Sequence, residues 1–259
     1  MSGLSRVEER LLHGLRRRSS REERGLFLAE GVRVVEDLAE SAMAIELAVA
    51  GPGLDRTPRG EALLATLSTL TEVRRATEAE LGRIAATDSP QDVVVAARIP
   101  EIAIEEVTPP DAAVALVLDA VQDPGNFGTL VRCADAFGVN LVIAMTGTVD
   151  PWNPKAVRAA AGAAFRVPIV QAETATALDW LGAQGFAIWA ADAGGEPAIG
   201  LDRPDRVALV AGNEGAGISD AVRQRTGRHV AVPIRGRADS LNVAVATGIL
   251  LYLLTAGTQ

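Results

Sequence analysis

The stretch Asp119–Val139, DAVQDPGNFGTLVRCADAFGV, decides how this chain reads. It follows the apolar run Val114–Leu118 and passes through turn residues into a helical pattern. Asp123 suits a helix cap and Pro124 the first turn. Beyond them Phe127, Leu130, Val131, Ala134 and Phe137 recur at helical spacing and form an apolar stripe. At about 100° per residue, Arg132 lies nearly opposite the centre of that stripe. An Arg on a polar face is commonly just solvated. Here Asn126 and Gly128 sit in the entry turn, where a Gly permits close backbone approach and a helix N-terminus favours an anion. Strand, polar turn and helix in this order form the unit of an α/β fold, which binds ligands beyond the carboxyl ends of its strands.

Outward from that stretch, Val114–Leu118, Leu141–Met145, Phe186–Ala190, Val207–Val210 and His229–Val232 read as strands alternating with helices. The alternation predicts a mainly parallel sheet covered on both faces. Upstream, strands over Leu26–Glu30, Ile45–Ala50, Leu70–Arg74 and Val93–Ala97 alternate with helices over Val32–Ser41, Arg59–Leu67 and Thr77–Ala85, a small αβ domain. Between the two, Pro100–Asp111 carries four acidic residues and Pro109-Pro110, and reads as a linker. The expected division is residues 1–105 and 111–259.

Two more segments follow apolar runs. In LVAGNEGAGIS (Leu209–Ser219), Gly212, Gly215 and Gly217 surround Glu214. The Lys-Ser/Thr of a Walker loop and the G-x-G-x-x-G of a dinucleotide fold are both missing. The segment reads either as a tight turn with a solvated Glu214 or as a ligand loop. In VPIRGRADSLNVAVATGILLY (Val232–Tyr252), Ser240 is placed to cap a helix beginning at Leu241. Asn242 then falls inside a helix that is apolar nearly all round, and a buried amide needs a ligand or a backbone group as partner.

Composition narrows the function classes. The 259 residues are 48% hydrophobic, with five Phe, three Trp and one Tyr, too few for an aromatic platform on single-stranded nucleic acid. A net charge of −8 opposes nonspecific coating of nucleic acid. Met1–Leu28 departs from that balance, with seven Arg against four Glu. Arg16, Arg17, Arg18 and Arg21 in this segment fit either a solvated helix face or an RNA contact. Cys133 is the single cysteine, which excludes an intramolecular disulfide. His13 and His229 lack neighbours at ligand spacing, so no metal site is expected. The N-terminus has no secretory apolar core. Leu241–Leu254 is too short to span a bilayer, so a cytoplasmic protein without membrane association is expected.

Four segments occur in a fixed order: DPGNFGTLVRCADAFGV, NPKAVRAAAGAAFRVPI, GNEGAGIS and PIRGRADSLNVAVATGILLY. Jointly they resemble the SpoU branch, also called TrmH-type, of the SPOUT superfamily of RNA methyltransferases. The likeness covers most of residues 114–254. The stretch LRRRSSREERGLFLAEGVRVVEDL and the strands after it are similar to the family's L30e-like RNA substrate-binding domain. The resemblance implies a SPOUT-type catalytic domain with a deep trefoil knot. It also implies a homodimer and S-adenosylmethionine-dependent methylation of a ribose 2'-hydroxyl in rRNA or tRNA.

On the same resemblance, Asn126, Arg132, Glu214, Ser240 and Asn242 match the catalytic set. Leu209, Gly212, Asn213, Gly217, Ile234 and Leu241 match the cofactor pocket. Arg16, Arg17, Arg18 and Arg21 fall in the RNA-binding part. Ala160 stands where many relatives carry Ser. Deprotonation of the hydroxyl is assigned either to a substrate phosphate fixed by Arg132 or to an unusually deprotonated guanidinium. A catalytically inactive RNA-binding or ribosome-assembly factor is the competing reading. A dinucleotide-dependent oxidoreductase lacks its glycine fingerprint.

Overall fold

A computed structural model describes residues 3–87 and 90–256. The chain begins with α1 (Arg6–Gly14), α2 (Arg18–Arg24), β1 (Leu26–Glu30), α3 (Val32–Ala39) and β2 (Ile45–Ala50). It continues through α4 (Pro58–Leu70), β3 (Val73–Arg75), α5 (Glu78–Ile84) and β4 (Val93–Arg98). Next come β5 (Ala113–Asp119), α6 (Pro124–Ala136), β6 (Leu141–Met145), α7 (Pro154–Ala160) and β7 (Ile169–Ala172). The last elements are α8 (Thr174–Ala183), β8 (Ala187–Pro197), β9 (Arg206–Gly212), α9 (Asp220–Arg225), β10 (Arg228–Ala231) and α10 (Val243–Thr255).

Two compact units result. The first comprises Met1–Glu101 with Trp152–Arg166, the second Ile102–Pro151 with Val167–Gln259. This differs from the division expected from sequence in two places. Ile104, in the expected linker, is buried in the core of the second unit with Ile102 and Val107 packed beside it. The segment around α7 clusters with the first unit because Phe27 of β1, fully buried, packs on Trp152 at 4.7 Å and Phe165 at 5.8 Å between ring centroids. Such aromatic pairs are worth about 0.5–1.5 kcal/mol beyond the area they bury. A reading along the chain assumes continuity, and this excursion breaks it.

In the first unit the sheet order is β1-β4-β2-β3, with β4 antiparallel to both neighbours and β2 parallel to β3. Glu8 of α1 accepts from Arg74 of β3 at 2.7 Å, and His13 Nδ1 lies 2.8 Å from the Arg83 carbonyl, so α1 is tied down across this unit. Strand β3 begins later than expected because α4 runs on to Leu70.

The second unit holds a six-stranded parallel sheet in the order β10-β8-β9-β5-β6-β7. Every residue of β5 (AVALVLD) and β6 (LVIAM) is buried, as expected for strands covered on both faces. Each fully buried Val, Leu or Ile there contributes roughly 1.5–3 kcal/mol. From β5 the chain steps outward to β6 and β7, then returns on the other side through β8 and β9. Its direction therefore reverses between β5 and β9, where Asp119 pairs with Gly212 at the strands' carboxyl ends. An open α/β sheet places its ligand crevice at such a reversal.

Candidate active site

The loop after β9 is held in one shape. A Cβ at Gly212 would lie 2.5 Å from the backbone carbon and oxygen of Gly217, so the loop closes on itself where no side chain fits. Asn213 and Gly217 exchange backbone hydrogen bonds at 2.9 Å, and Gly217 adopts φ +71°, which Gly alone takes without strain. The Asn213 side-chain Oδ1 accepts from Gly215 and Ala216 N–H, while its Nδ2 donates to the Ala120 carbonyl at 2.8 Å. Asp119, 3% exposed at the end of β5, accepts from Ser219 N–H at 2.7 Å. The loops after β5 and β9 are therefore fastened to each other twice.

Glu214 adds a third tie. Its side chain is exposed, but the carboxylate accepts from Gln122 N–H at 3.2 Å, Asp123 N–H at 3.1 Å and Asn126 Nδ2 at 3.0 Å. Desolvation pushes this carboxyl up. The hydrogen bonds from Asn126 and the backbone outweigh that effect and hold it below the usual glutamate range. Asn126 in turn accepts from Asn242 Nδ2 at 3.0 Å. The Gly-rich loop is thus a tight turn, but one in which Glu214 is bonded to three donors and not merely solvated.

Asn242 corrects the sequence reading of its helix. It lies outside α10 as the N-cap, exposed, with its Oδ1 accepting from Ala244 and Val245 N–H. Ser240 therefore does not cap this helix. Asp123 and Pro124 start α6 as expected, Asp123 accepting from Asn126 N–H at 2.8 Å.

A cavity of about 400 Å³ opens beside these loops, within the range of small-molecule sites. Gly212, Asn213, Gly217, Ile234 and Leu241, all expected at the cofactor pocket, line it, as do Glu214, Ser240 and Asn242. Leu209 does not: it is fully buried inside β9, where strand packing claims it. Asn126 and Arg132 also lie off the cavity wall. Arg132 is exposed on α6 and forms no hydrogen bond or ion pair among the described residues.

Sequence reasoning missed three wall or brace residues. Asp119 was legible as a carboxylate ending a buried strand. Asp192, near the middle of β8, lines the cavity and accepts from Gly194 N–H, Arg223 and His229 at 3.0, 3.3 and 3.2 Å. Chiefly the Gly194 bond, then Arg223 and His229, hold its carboxyl below the ordinary aspartate range against desolvation. Thr247 of α10 also lines the cavity, fully buried, and its hydroxyl has no hydrogen-bond partner among the described residues. Its burial in an apolar helix concealed it.

Of the N-terminal arginines, Arg16, Arg17 and Arg18 are exposed, with Arg18 paired to Glu22 at 2.7 Å. Arg21 is not available to a surface ligand. It is 2% exposed and donates to the Leu15 carbonyl at 2.8 Å, so it holds the turn between α1 and α2. Ala160 is fully buried in α7. Burial pushes the Cys133 thiol up, with Arg132 acting against the shift, which makes it a poor nucleophile. Among the described residues no group of His, Cys, Asp and Glu could hold a metal ion, and no helix is long and apolar enough to cross a membrane.

Residues 113–252 match the profile of the SpoU rRNA Methylase family, and residues 10–95 match an MRM3-like substrate binding domain. The chain is 34% identical over 242 residues to the 23S rRNA (guanosine(2553)-2'-O)-methyltransferase RlmP of Bacillus subtilis, covering 93% of this chain and 92% of that protein. The crystal structure of an AdoMet-bound rRNA methyltransferase from Sinorhizobium meliloti is similar at TM-score 0.88 and 30% identity, covering 100% of this chain and 98% of that one. The SpoU methyltransferase AviRb of Streptomyces viridochromogenes, in complex with AdoMet, is similar at TM-score 0.87 and 25% identity over 98% of both chains. A profile spanning more than half of the chain and a relative matched over nearly its whole length agree, and the chain belongs to the SpoU rRNA methylase family.

Proposed function

We propose that this protein is an S-adenosylmethionine-dependent ribose 2'-O-methyltransferase of ribosomal RNA. The observation that carries the reading is the cavity at the sheet reversal, walled by the fixed Gly212–Gly217 loop and by α10, with the Glu214–Asn126–Asn242 chain at its edge. Two features of the cavity suit the cofactor. At Gly212 the backbone lies where a side chain would intrude, and the Thr247 hydroxyl is a buried polar atom without a partner among the described residues. Gly212, Asn213, Gly217, Ile234 and Leu241 would hold it.

Bound there, the cofactor supplies an electrophilic sulfonium methyl. The protein's part is to place a ribose oxygen in line with that carbon, and positioning of this kind supplies much of a displacement's rate. The 2'-hydroxyl is a weak nucleophile that must lose its proton during attack. A guanidinium remains charged in proteins. Arg132, exposed and uncommitted, grips a substrate phosphate with paired N–H donors and fixes the neighbouring oxygen, and the phosphate receives the proton. Asn126 and Asn242 spend side-chain donors on the loop bracket and keep it in register. Ser240 orients the nucleotide from the cavity rim.

Arg16, Arg17 and Arg18 supply the RNA-facing charge of the first unit. The protein works as a homodimer: Val245, Ile249 and Tyr252, on one stripe of α10, leave apolar surface exposed at 50%, 38% and 55%. Family membership supports a trefoil knot around the cofactor cavity, and a ribosomal RNA substrate supports a cytoplasmic location. Tritiated methyl transfer to rRNA, with 2'-O-methyl mapping in cells with and without the protein, tests the function. Failure to transfer methyl while still binding RNA would establish the inactive binding factor instead.

A further inference from the structure

Thr247 stands in the second turn of α10, fully buried, on the wall of the cavity. A helical Thr usually disposes of its hydroxyl by bonding the carbonyl four residues back. This chain does so repeatedly: Thr255 bonds Leu251 at 2.9 Å in the same helix, Thr129 bonds Gly125 at 2.9 Å and Thr226 bonds Val222 at 2.8 Å. Thr247 does not take the Val243 carbonyl, and its oxygen has no other partner among the described residues. A buried hydroxyl left in that state costs free energy that a Val of similar shape would not incur.

Of the other polar side chains on this wall, Ser240 stands exposed at the rim and Glu214 accepts from three donors. Asn242 spends its oxygen on the α10 cap and its amide on Asn126; Asn213 spends both ends inside its loop; Asp192 accepts from three donors. The same cavity is lined by the apolar residues Val243, Ala246 and Leu250 of α10 and Val230 and Ala231 of β10. An apolar wall with one buried, uncommitted hydroxyl suits a flat heteroaromatic base, whose faces pack on aliphatic side chains while one edge meets the hydroxyl. The charged methionyl end of the cofactor has no comparable reason to enter it.

We propose that Thr247 is a positioning residue of the cofactor site, its hydroxyl hydrogen-bonding an edge of the purine ring and setting where the nucleoside lies. The proposal rests on the cofactor reading above. It is tested by calorimetry of S-adenosylhomocysteine and of adenosine on the full chain and on the Thr247→Val and Thr247→Ser variants. Thr247→Val is expected to weaken both ligands by the same factor, about fivefold to tenfold, while Thr247→Ser stays within about twofold of the parent. The ligand-free Val variant should melt no lower than the parent, because only an unsatisfied hydroxyl has been removed. Undiminished S-adenosylhomocysteine binding by Thr247→Val would overturn the proposal. So would a loss for S-adenosylhomocysteine without one for adenosine, an affinity loss accompanied by a lower melting temperature, or a Ser variant as weak as Val. A parent protein that binds neither ligand would overturn the cofactor reading itself, an outcome distinct from all of these.

Discussion

The side-chain amide of Asn126 donates to the carboxylate of Glu214 across 3.0 Å, joining α6 to a loop 88 residues further along the chain. The same asparagine accepts from Asn242 at 3.0 Å. A single amide thus links all three loops of the site, and the chemistry of each loop depends on the others staying in register.

Replacing Glu214 with Gln tests that dependence. Glu214 meets only donors: two backbone N–H groups and one amide. Gln would turn an NH2 toward one of them. Hydrogen bonds to a charged group are worth about 1.5–3 kcal/mol, and 1.4 kcal/mol is tenfold, so methyl transfer should fall by about tenfold or more. Because the folded carboxyl lies below its usual range, the bracket is complete above that range and is lost as pH falls through the folded value. The amide chemical shifts of Gln122 and Asp123 should follow this acid transition in the parent and show none in Glu214→Gln.

Gly212→Ala places a Cβ against the Gly217 backbone at 2.5 Å, which no rotamer relieves. The loop must open. We expect S-adenosylhomocysteine binding to be lost and the melting temperature to fall, with a cost of about 1–3 kcal/mol, as for other overpacked sites. Full cofactor affinity in the Ala variant would show that the closed loop is unnecessary for binding.

What was legible in the chain followed from burial. Strands β1, β2 and β6 have the expected limits because each is mostly a run of buried apolar residues, broken only by Glu30 at the end of β1 and Glu46 near the start of β2. Strand β7, with only Ile169 and Val170 buried, is too short to leave such a signal. Asn242 was placed inside its helix because apolar residues begin at Leu241; the helix starts where an amide can cap it, and hydrophobicity does not mark that position. Charge counting grouped Arg21 with its neighbours, although a carbonyl six residues away holds it in the interior. The bracket of Asn126, Glu214 and Asn242 was visible as residue types but not as contacts, since its members lie 88 and 116 residues apart.

The arginines near the N-terminus should separate into two behaviours. Arg16→Ala with Arg17→Ala removes two exposed cations and should reduce the slope of log affinity for RNA against log salt by about 1.5, with little change in melting temperature. Arg21→Ala should lower stability by about 1–3 kcal/mol, because buried contacts are lost. An Arg21 variant of full stability and weakened RNA binding would return that residue to the RNA surface.

The stripe on α10 predicts an oligomer. Tyr252 also leans on Phe137 at 5.8 Å, which fixes one end of the exposed surface. Ile249→Asp puts a charge in the middle of it, where burial against a second copy would be heavily penalised. Sedimentation should show a dimer for the parent and a monomer for Ile249→Asp. A monomeric parent at micromolar concentration would remove the homodimer from the proposal.

Arg132 offers the sharpest division between geometry and charge. It forms no hydrogen bond or ion pair among the described residues and lies off the cavity wall, so its substitution should leave S-adenosylhomocysteine affinity unchanged. Lys preserves the charge but replaces two parallel donors with a point cation, which cannot hold a phosphate bidentately. If Arg132 only attracts RNA, Arg132→Lys retains near-normal turnover and raises KM slightly. If it fixes the phosphate so that the 2'-oxygen lies in line, kcat falls by about a hundredfold, the order expected when a reacting atom is displaced by 1 Å. We expect the second result, with RNA affinity nearly intact, since one phosphate contact among several contributes little to binding but sets the angle of attack.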